Sequence, residues 1–179
     1  KTAPVEIRER LAFDNVALGE ALQSFVNWKG VSGAMILSTC NRVEIVAEGP
    51  DDTLVREFLC SYHRVSAETV NNYLYTFRNN DVIRHVFRVA SSLDSMIVGE
   101  PQILGQIKDA FRIAMEAGTI GVQIGPMMTR AFVVAKKVRR ETAIAESAVS
   151  VSYAAVELAR KIFGDLSGKS VMIIGASNM

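Results

Sequence analysis

Two short apolar runs set the limits on what this chain can become. Ala34-Met-Ile-Leu-Ser38 and Val43-Glu-Ile-Val-Ala47 flank Thr39-Cys40-Asn41-Arg42. Runs of this length, rich in Ile and Val, read as strands that flank a short polar segment. The stretches around them are helical. Over residues 5–29, Leu18, Leu22, Phe25 and Val26 are spaced for one buried face, and Gly30 and Gly33 end the pattern. Pro50-Asp51-Asp52 opens the next helix, with Leu54, Val55, Phe58 and Leu59 as its apolar stripe. Tyr73-Leu-Tyr-Thr-Phe77 is strand-like. A helix on either side of a hairpin, followed by a further strand, predicts an α+β fold. With one more strand supplied ahead of Lys1, it becomes a ferredoxin-like α/β sandwich.

From residue 81 the chain turns helical. Asp81 fits an N-cap for a helix over residues 82–90. Pro101 fits the first turn of a helix reaching Gly118, with Ile103, Ile107, Phe111 and Ala114 on one face. Another helix follows Pro126, and one more runs from about Ser150 to Phe163, stopped by Gly164. Then Lys169-Ser-Val-Met-Ile-Ile-Gly175 reads as a β-branched strand entering a glycine turn. Such a parallel strand needs partners and covering helices, so the chain reads as a piece of something larger. The predicted division is a catalytic domain over 1–164 and, from 165 to 179, the first strand of a truncated Rossmann-type domain. The boundary falls in Gly164-Asp-Leu-Ser-Gly168.

Composition excludes several classes. Apolar residues make up 49% of the 179, charged ones 22%, and the net charge is +1. There is a core to bury but no global basic field, so a polyanionic partner would need a local patch. The two cysteines, Cys40 and Cys60, form neither a metal-type spacing nor a disulfide scaffold, and read as reduced and intracellular. No apolar run approaches the ~20 residues of a membrane span.

Chemistry concentrates around Cys40. A single cysteine is commonly a small buried hydrophobe. Here, though, Thr39, Asn41, Arg42 and Glu44 make an unusually polar cluster after an apolar strand. With extended backbone, Cys40, Arg42 and Glu44 project from one face, where the guanidinium favours thiolate. Arg42 could also grip a substrate carboxylate and Glu44 an ammonium group. If Asn41-Arg42 is a turn, only proximity to the thiol survives; a plain exposed Arg–Glu pair is the third possibility. His85 falls on the line Val82, His85, Val89 and is either a core histidine or a base near the thiol; spacing alone favours the first. His63 carries no such signal, and Cys60 reads as core. The loop Ser91–Gln102 is either a capping connection, with Glu100 as cap before Pro101, or a source of polar ligand contacts from Ser95, Glu100 and Gln102. Lys136-Lys137 and Arg139-Arg140 are a solvated face or a contact for RNA phosphates. Gly175-Ala176-Ser177 is half of a dinucleotide fingerprint.

Four stretches in order make a more specific pattern: Lys1-Thr-Ala-Pro-Val-Glu-Ile-Arg8, Ser38-Thr-Cys-Asn-Arg-Val-Glu44, Leu93-Asp-Ser-Met-Ile-Val-Gly-Glu-Pro-Gln-Ile-Leu-Gly105, and Ala148-Val-Ser-Val-Ser-Tyr-Ala-Ala-Val-Glu-Leu-Ala159. Together they resemble the glutamyl-tRNA reductase family across essentially the whole chain. The resemblance implies that Cys40 is the nucleophile and His85 the histidine beside it. It implies substrate contacts from Thr39, Asn41, Arg42, Glu44, Ser95, Glu100 and Gln102, and NADPH contacts from Gly175, Ala176 and Ser177. It further implies a nucleotide domain and a dimerisation domain beyond residue 179, glutamyl-tRNA as substrate, and a homodimer able to channel product to glutamate-1-semialdehyde aminotransferase. The compartment it implies is the cytoplasm, or the plastid stroma for a plant protein. The chain departs from the family's usual Ser-Gly-Leu-Asp at Ser92, and from its usual Gly-Ala-Gly at Ser177. Two other classes fit the residues: a non-catalytic tRNA- or partner-binding module, and a cysteine acyl hydrolase without a reduction step.

Overall fold

The computed structural model describes residues 3–49, 51–95, 97–145 and 151–172. Its elements are α1 (Val5–Arg10), α2 (Leu18–Val26), β1 (Gly33–Ser38), β2 (Val43–Glu48), α3 (Asp52–His63), α4 (Ala67–Val70), α5 (Asn80–Ala90), α6 (Gln102–Glu116), α7 (Ile124–Glu141) and α8 (Val151–Phe163). The described residues are mixed but helix-rich, around one small antiparallel sheet.

β1 and β2 pair from Gly33↔Glu48 to Ser38↔Val43. Ala34, Met35, Ile36 and Leu37 are all buried, so both faces of β1 are covered, whereas β2 is half-buried throughout. α2, α6 and α7 pack against β1. Leu18, Leu22 and Phe25 of α2, Phe58 of α3, Ile103 and Ile107 of α6, and Met128 of α7 form one core with β1. The rings of Phe25 and Phe58 stack at 4.3 Å.

The predicted helix over 5–29 is two helices. Between them Phe13 is buried and donates its N–H to Ser38 Oγ (3.0 Å), and Asp14 Oδ1 accepts from Val16 N. That local side-chain bond competes with helical bonding and turns the chain. The predicted strand at 73–77 is also absent. Asn71–Tyr73 is a 3₁₀ turn, and residues 74–78 join no ladder. Tyr75 and Phe77 turn their rings to His85, so the alternation of aromatics reflects packing on a side chain rather than on a neighbouring strand. The sheet therefore has two strands, and the ferredoxin-like arrangement is not formed among the described residues.

α5 begins before Asp81, directly after Asn79, which holds a positive φ of 52°. Asp81 sits in the first turn and pairs with Arg84 at 3.2 Å rather than capping. Asp51 does cap α3, accepting from Thr53 N. No side chain caps α6, which starts after Pro101, so Glu100 is not its cap.

α7 is capped from the sheet: Glu48 Oε1 accepts from Gln123 N (2.7 Å) and Ile124 N (2.6 Å). This places a carboxylate on the positive end of the helix. Gly121 makes the approach possible, because a Cβ there would stand 2.5 Å from that carboxylate. α8 ends at Gly164 (φ 71°) and leaves Leu158, Ile162 and Phe163 exposed. Residues 169–172 form no strand; the rest of that predicted strand, with Gly175, Ala176 and Ser177, lies outside the described residues. Among the described residues no helix is long and apolar enough to cross a membrane, and no group of three or more His, Cys, Asp or Glu could hold a metal.

Candidate active site

The strands are joined by Thr39-Cys40-Asn41-Arg42, a tight turn with Cys40-Asn41 at its tip, closed by the Thr39 side chain. Thr39 donates its backbone N–H to Arg42 O (2.8 Å), and Thr39 Oγ1 accepts from Arg42 N (3.1 Å) and Asn41 N (3.3 Å). The hydroxyl thus takes the donor that a two-residue turn would normally return to the carbonyl of Thr39. Arg8 of α1 clamps the same turn, donating from Nη1 to Cys40 O (3.1 Å) and Asn41 Oδ1 (2.9 Å). Cys40 is exposed at the tip, so the buried-hydrophobe reading fails. The turn also breaks the extended run, so Cys40 does not continue the Arg42–Glu44 face. Cys60 is partly buried against the core.

Beyond the turn, Arg42, the residue just before β2, and Glu44 within it come together. Arg42 Nη1 donates to Glu44 Oε1 (2.8 Å). Its Nη2 donates to the backbone carbonyl of Asp94 and to Asp94 Oδ2 (3.2 Å). These side chains are buried, Arg42 8% and Glu44 9% exposed, so this is not the solvated pair of an ordinary strand. Glu44 Oε1 collects two further partners: the Tyr75 hydroxyl (2.6 Å) and His85 Nε2 (3.0 Å). Burial pushes the Glu44 carboxyl up, but His85, Tyr75 and Arg42 outweigh it and hold the group below its ordinary value. Burial first, and then the Glu44 charge, push the Tyr75 hydroxyl far up, so it stays a donor. The Tyr75 residue is half exposed, yet its hydroxyl end is turned inward onto Glu44.

His85 is therefore no carbonyl-satisfied core histidine. A carboxylate only accepts, so Nε2 carries the hydrogen and exchange with a ligand falls to Nδ1. Phe77 stacks on the ring at 4.5 Å and 27°. A cleft of about 290 Å³ opens here, lined among others by Thr39, Asn41, Arg42, Phe77, His85 and Asp94. Cys40 lies between Thr39 and Asn41 in sequence but is exposed and does not itself line the cleft; nor does Glu44, which sits behind the lining residues Arg42 and His85.

Of the predicted contacts, Thr39, Asn41, Arg42, Glu44 and His85 converge on this place. Ser95, Glu100 and Gln102 do not line the cleft. Ser95 Oγ is buried without a hydrogen-bond partner, and Gln102 is exposed at the start of α6. The basic face of α7 divides: Lys137 and Arg140 pair with Glu141, while Arg139 points inward. Sequence reading missed Arg8, Tyr75 and Asp94. The spacing Tyr73, Tyr75, Phe77 was the available signal for Tyr75; Arg8 and Asp94 stand in stretches that carry the family resemblance, but no spacing marks them as cleft residues.

The match to known proteins decides the family. A family model described as "Glutamyl-tRNAGlu reductase, N-terminal domain" matches residues 1–142. The chain belongs to the glutamyl-tRNA reductase family. It is 55% identical to the glutamyl-tRNA reductase of Pelobacter propionicus and 54% identical to that of Syntrophotalea carbinolica, over its full length in each case. It spans 42% and 41% of those two relatives, about two-fifths of their length. A solved structure of glutamyl-tRNA reductase from Methanopyrus kandleri matches with a TM-score of 0.66 at 36% identity, covering 89% of this chain and 37% of that one. The described fold, two strands within a helical body, is similar to the corresponding part of that reductase.

Proposed function

We propose that this chain is the thiol-bearing, substrate-binding part of a glutamyl-tRNA reductase, which converts glutamyl-tRNA to glutamate-1-semialdehyde for tetrapyrrole synthesis. The observation that carries the proposal is the exposed Cys40, held in a clamped turn whose flanking residues Thr39 and Asn41 line the cleft together with Arg42 and His85. Cys40 Sγ attacks the ester carbonyl carbon of the glutamyl group, the carbon–oxygen bond to the ribose breaks, and the thiol proton ends on the released ribose oxygen. One difficult step becomes two easier ones through a thioester. Arg42 commits three of its five donors to Glu44 and Asp94, leaving two for the glutamyl carboxylate. Glu44 and Asp94 add negative charge that suits the glutamyl ammonium. His85, fixed by Glu44 and Phe77, offers Nδ1 for proton exchange.

NADPH, assigned to Gly175, Ala176, Ser177 and a nucleotide domain beyond them, would supply the hydride that takes the thioester to the aldehyde. On this reading most of the nucleotide-binding part lies beyond residue 179, so residues 1–179 alone are expected to form the thioester and lose it to water as free glutamate. A homodimer, and hand-over of product to the aminotransferase, belong to the same proposal, with the cytoplasm or plastid stroma as its compartment. The test is to incubate the chain with radiolabelled glutamyl-tRNA, quench in acid and map the label. Label on Cys40 supports the proposal; binding of glutamyl-tRNA without label would leave a non-catalytic binding module. If the full-length protein released only glutamate in the presence of NADPH, it would be an acyl hydrolase.

A further inference from the structure

The connection between α5 and α6 is closed at its neck by a side chain from α7. Arg139, in the last turn of α7, donates from Nη2 to Ser92 Oγ (2.8 Å) and to the Glu100 carbonyl (2.8 Å). Ser92 Oγ donates to the same carbonyl (2.8 Å), and Gly99 N donates to Ser92 O (3.0 Å). Ser92 is fully buried and holds φ +60°, a conformation that favours glycine. It keeps that conformation with its hydroxyl engaged on both sides.

Asp94 lies just beyond this neck, and its carbonyl and carboxylate are what hold Arg42. A continuous path of hydrogen bonds and short backbone therefore runs from Arg139 through the neck and Asp94 to Arg42, Glu44 and His85. Arg139 has no carboxylate partner among the described residues, and its Nε is buried without a hydrogen-bond partner. Burying a guanidinium on neutral oxygens alone is unfavourable, whereas Lys137 and Arg140 beside it pair with Glu141 in the ordinary way. The arginine is thus placed for what it holds.

We infer that Arg139 is a positioning residue: through Ser92 and the Glu100 carbonyl it fixes the loop that presents Asp94 to Arg42, and so sets the cleft's affinity for the glutamyl group without touching it. This rests on the proposed function for its kinetic reading but not for its structural one. A residue that only staples α7 to the body would lower the amount of folded protein, and with it kcat, while leaving KM alone. A positioning residue moves KM, because the substrate must then order the loop.

The experiment uses the full-length protein with Arg139→Gln, Arg139→Lys and Ser92→Gly. Glycine suits φ +60°, so Ser92→Gly removes the hydroxyl without backbone strain and keeps the test open should Arg139→Gln fail to fold. Arg139→Gln is expected to raise KM for glutamyl-tRNA about tenfold with kcat nearly unchanged, Ser92→Gly to raise it less, and Arg139→Lys to recover most of the loss. Hydrogen exchange on the same proteins should show faster exchange of the Gly99 amide and of the loop around Asp94 in the Gln and Gly variants. Unchanged KM with a proportionate fall in kcat would overturn the inference, and so would unchanged exchange in both variants. Should the parent protein not use glutamyl-tRNA at all, the functional proposal fails and the exchange result alone decides for or against Arg139.

Discussion

Glu44→Gln is the most informative single change, because three side chains converge on one oxygen of that carboxylate. Glutamine keeps the shape, and its carbonyl can stand where Oε1 stood, so the change removes charge rather than volume. The partners are Arg42 Nη1 at 2.8 Å, the Tyr75 hydroxyl at 2.6 Å and His85 Nε2 at 3.0 Å. A hydrogen bond to a charged group contributes roughly 1 kcal/mol more than a neutral one, so three such bonds give about 3 kcal/mol, less whatever relaxation recovers. Arg42 keeps Asp94, so the buried guanidinium is not stranded. Urea unfolding of parent and variant at pH 7 should therefore differ by about 2–4 kcal/mol. The difference must also depend on pH. Glu44 titrates below its ordinary 4.5 in the folded state, so its contribution is complete above that value and is lost as pH falls through the folded pKa. The two unfolding curves should converge in acid. A difference below about 1 kcal/mol at pH 7, or one that stays undiminished down to the acid unfolding of both proteins, would show that the convergence on Oε1 does not stabilise the fold in this way.

Other outcomes follow from single features. Cys40→Ser should abolish transfer of the glutamyl group to the protein while leaving thermal unfolding unchanged, since the residue is exposed and a hydroxyl is a far weaker nucleophile; undiminished labelling would place the nucleophile elsewhere. Arg42→Ala should weaken use of glutamyl-tRNA and also cost about 3–5 kcal/mol of stability, because it leaves Glu44 and Asp94 without their shared partner, and Lys should recover only part. His63 has Nε2 buried without a partner, and burial holds its pKa below 6.5. The unfolded chain then protonates first, so stability should fall as pH drops from 7 through 6.5, and His63→Phe should flatten that slope in urea titrations. Gly121→Ala should cost roughly 2 kcal/mol by driving Glu48 off the α7 N-terminus, with little extra loss when combined with Glu48→Ala, as a double-mutant cycle would show.

What the sequence disclosed about this fold depended on how local the determinants were. The two hairpin strands, the opening of α3, read from Pro50-Asp51-Asp52, and the stop at Gly164 were legible because a few consecutive residues decide each of them. The apolar stripe of α2 was legible too, but its join to α1 was not. The local Asp14–Val16 bond and the long-range bond from Phe13 to Ser38 together take residues 11–17 out of the helix, and the second leaves no mark in the local sequence. Tyr73–Phe77 misled for a related reason: alternating aromatics state that one side is covered without stating what covers it. In the site, Arg42 and Glu44 were legible from β2 periodicity, while Cys40 was displaced from their face by a turn that depends on the Thr39 hydroxyl. Spacing alone tilted His85 toward a core histidine, because helical spacing shows that a residue faces inward, not that a buried carboxylate waits there. Asp94 and Arg8 reach the cleft from distant elements, and no period in the sequence carries that information.

The Glu48 cap ties the open base of the hairpin to a helix some 75 residues later. Glu48 pairs with Gly33, and Gly33 in turn lies so near Gly121 that an added Cβ would stand 2.5 Å from its backbone nitrogen. The base of the hairpin is thus indexed against α7 as a key is against a lock. Sliding β2 by one residue along β1 would move the carboxylate off Gln123 and Ile124 and turn Arg42 and Glu44 to the opposite face. One end of the ribbon sets the register and the other carries the thiol. Single-residue insertions within residues 43–47 should therefore be rejected far more strongly than insertions of equal size in the exposed 14–17 turn, even though neither touches Cys40.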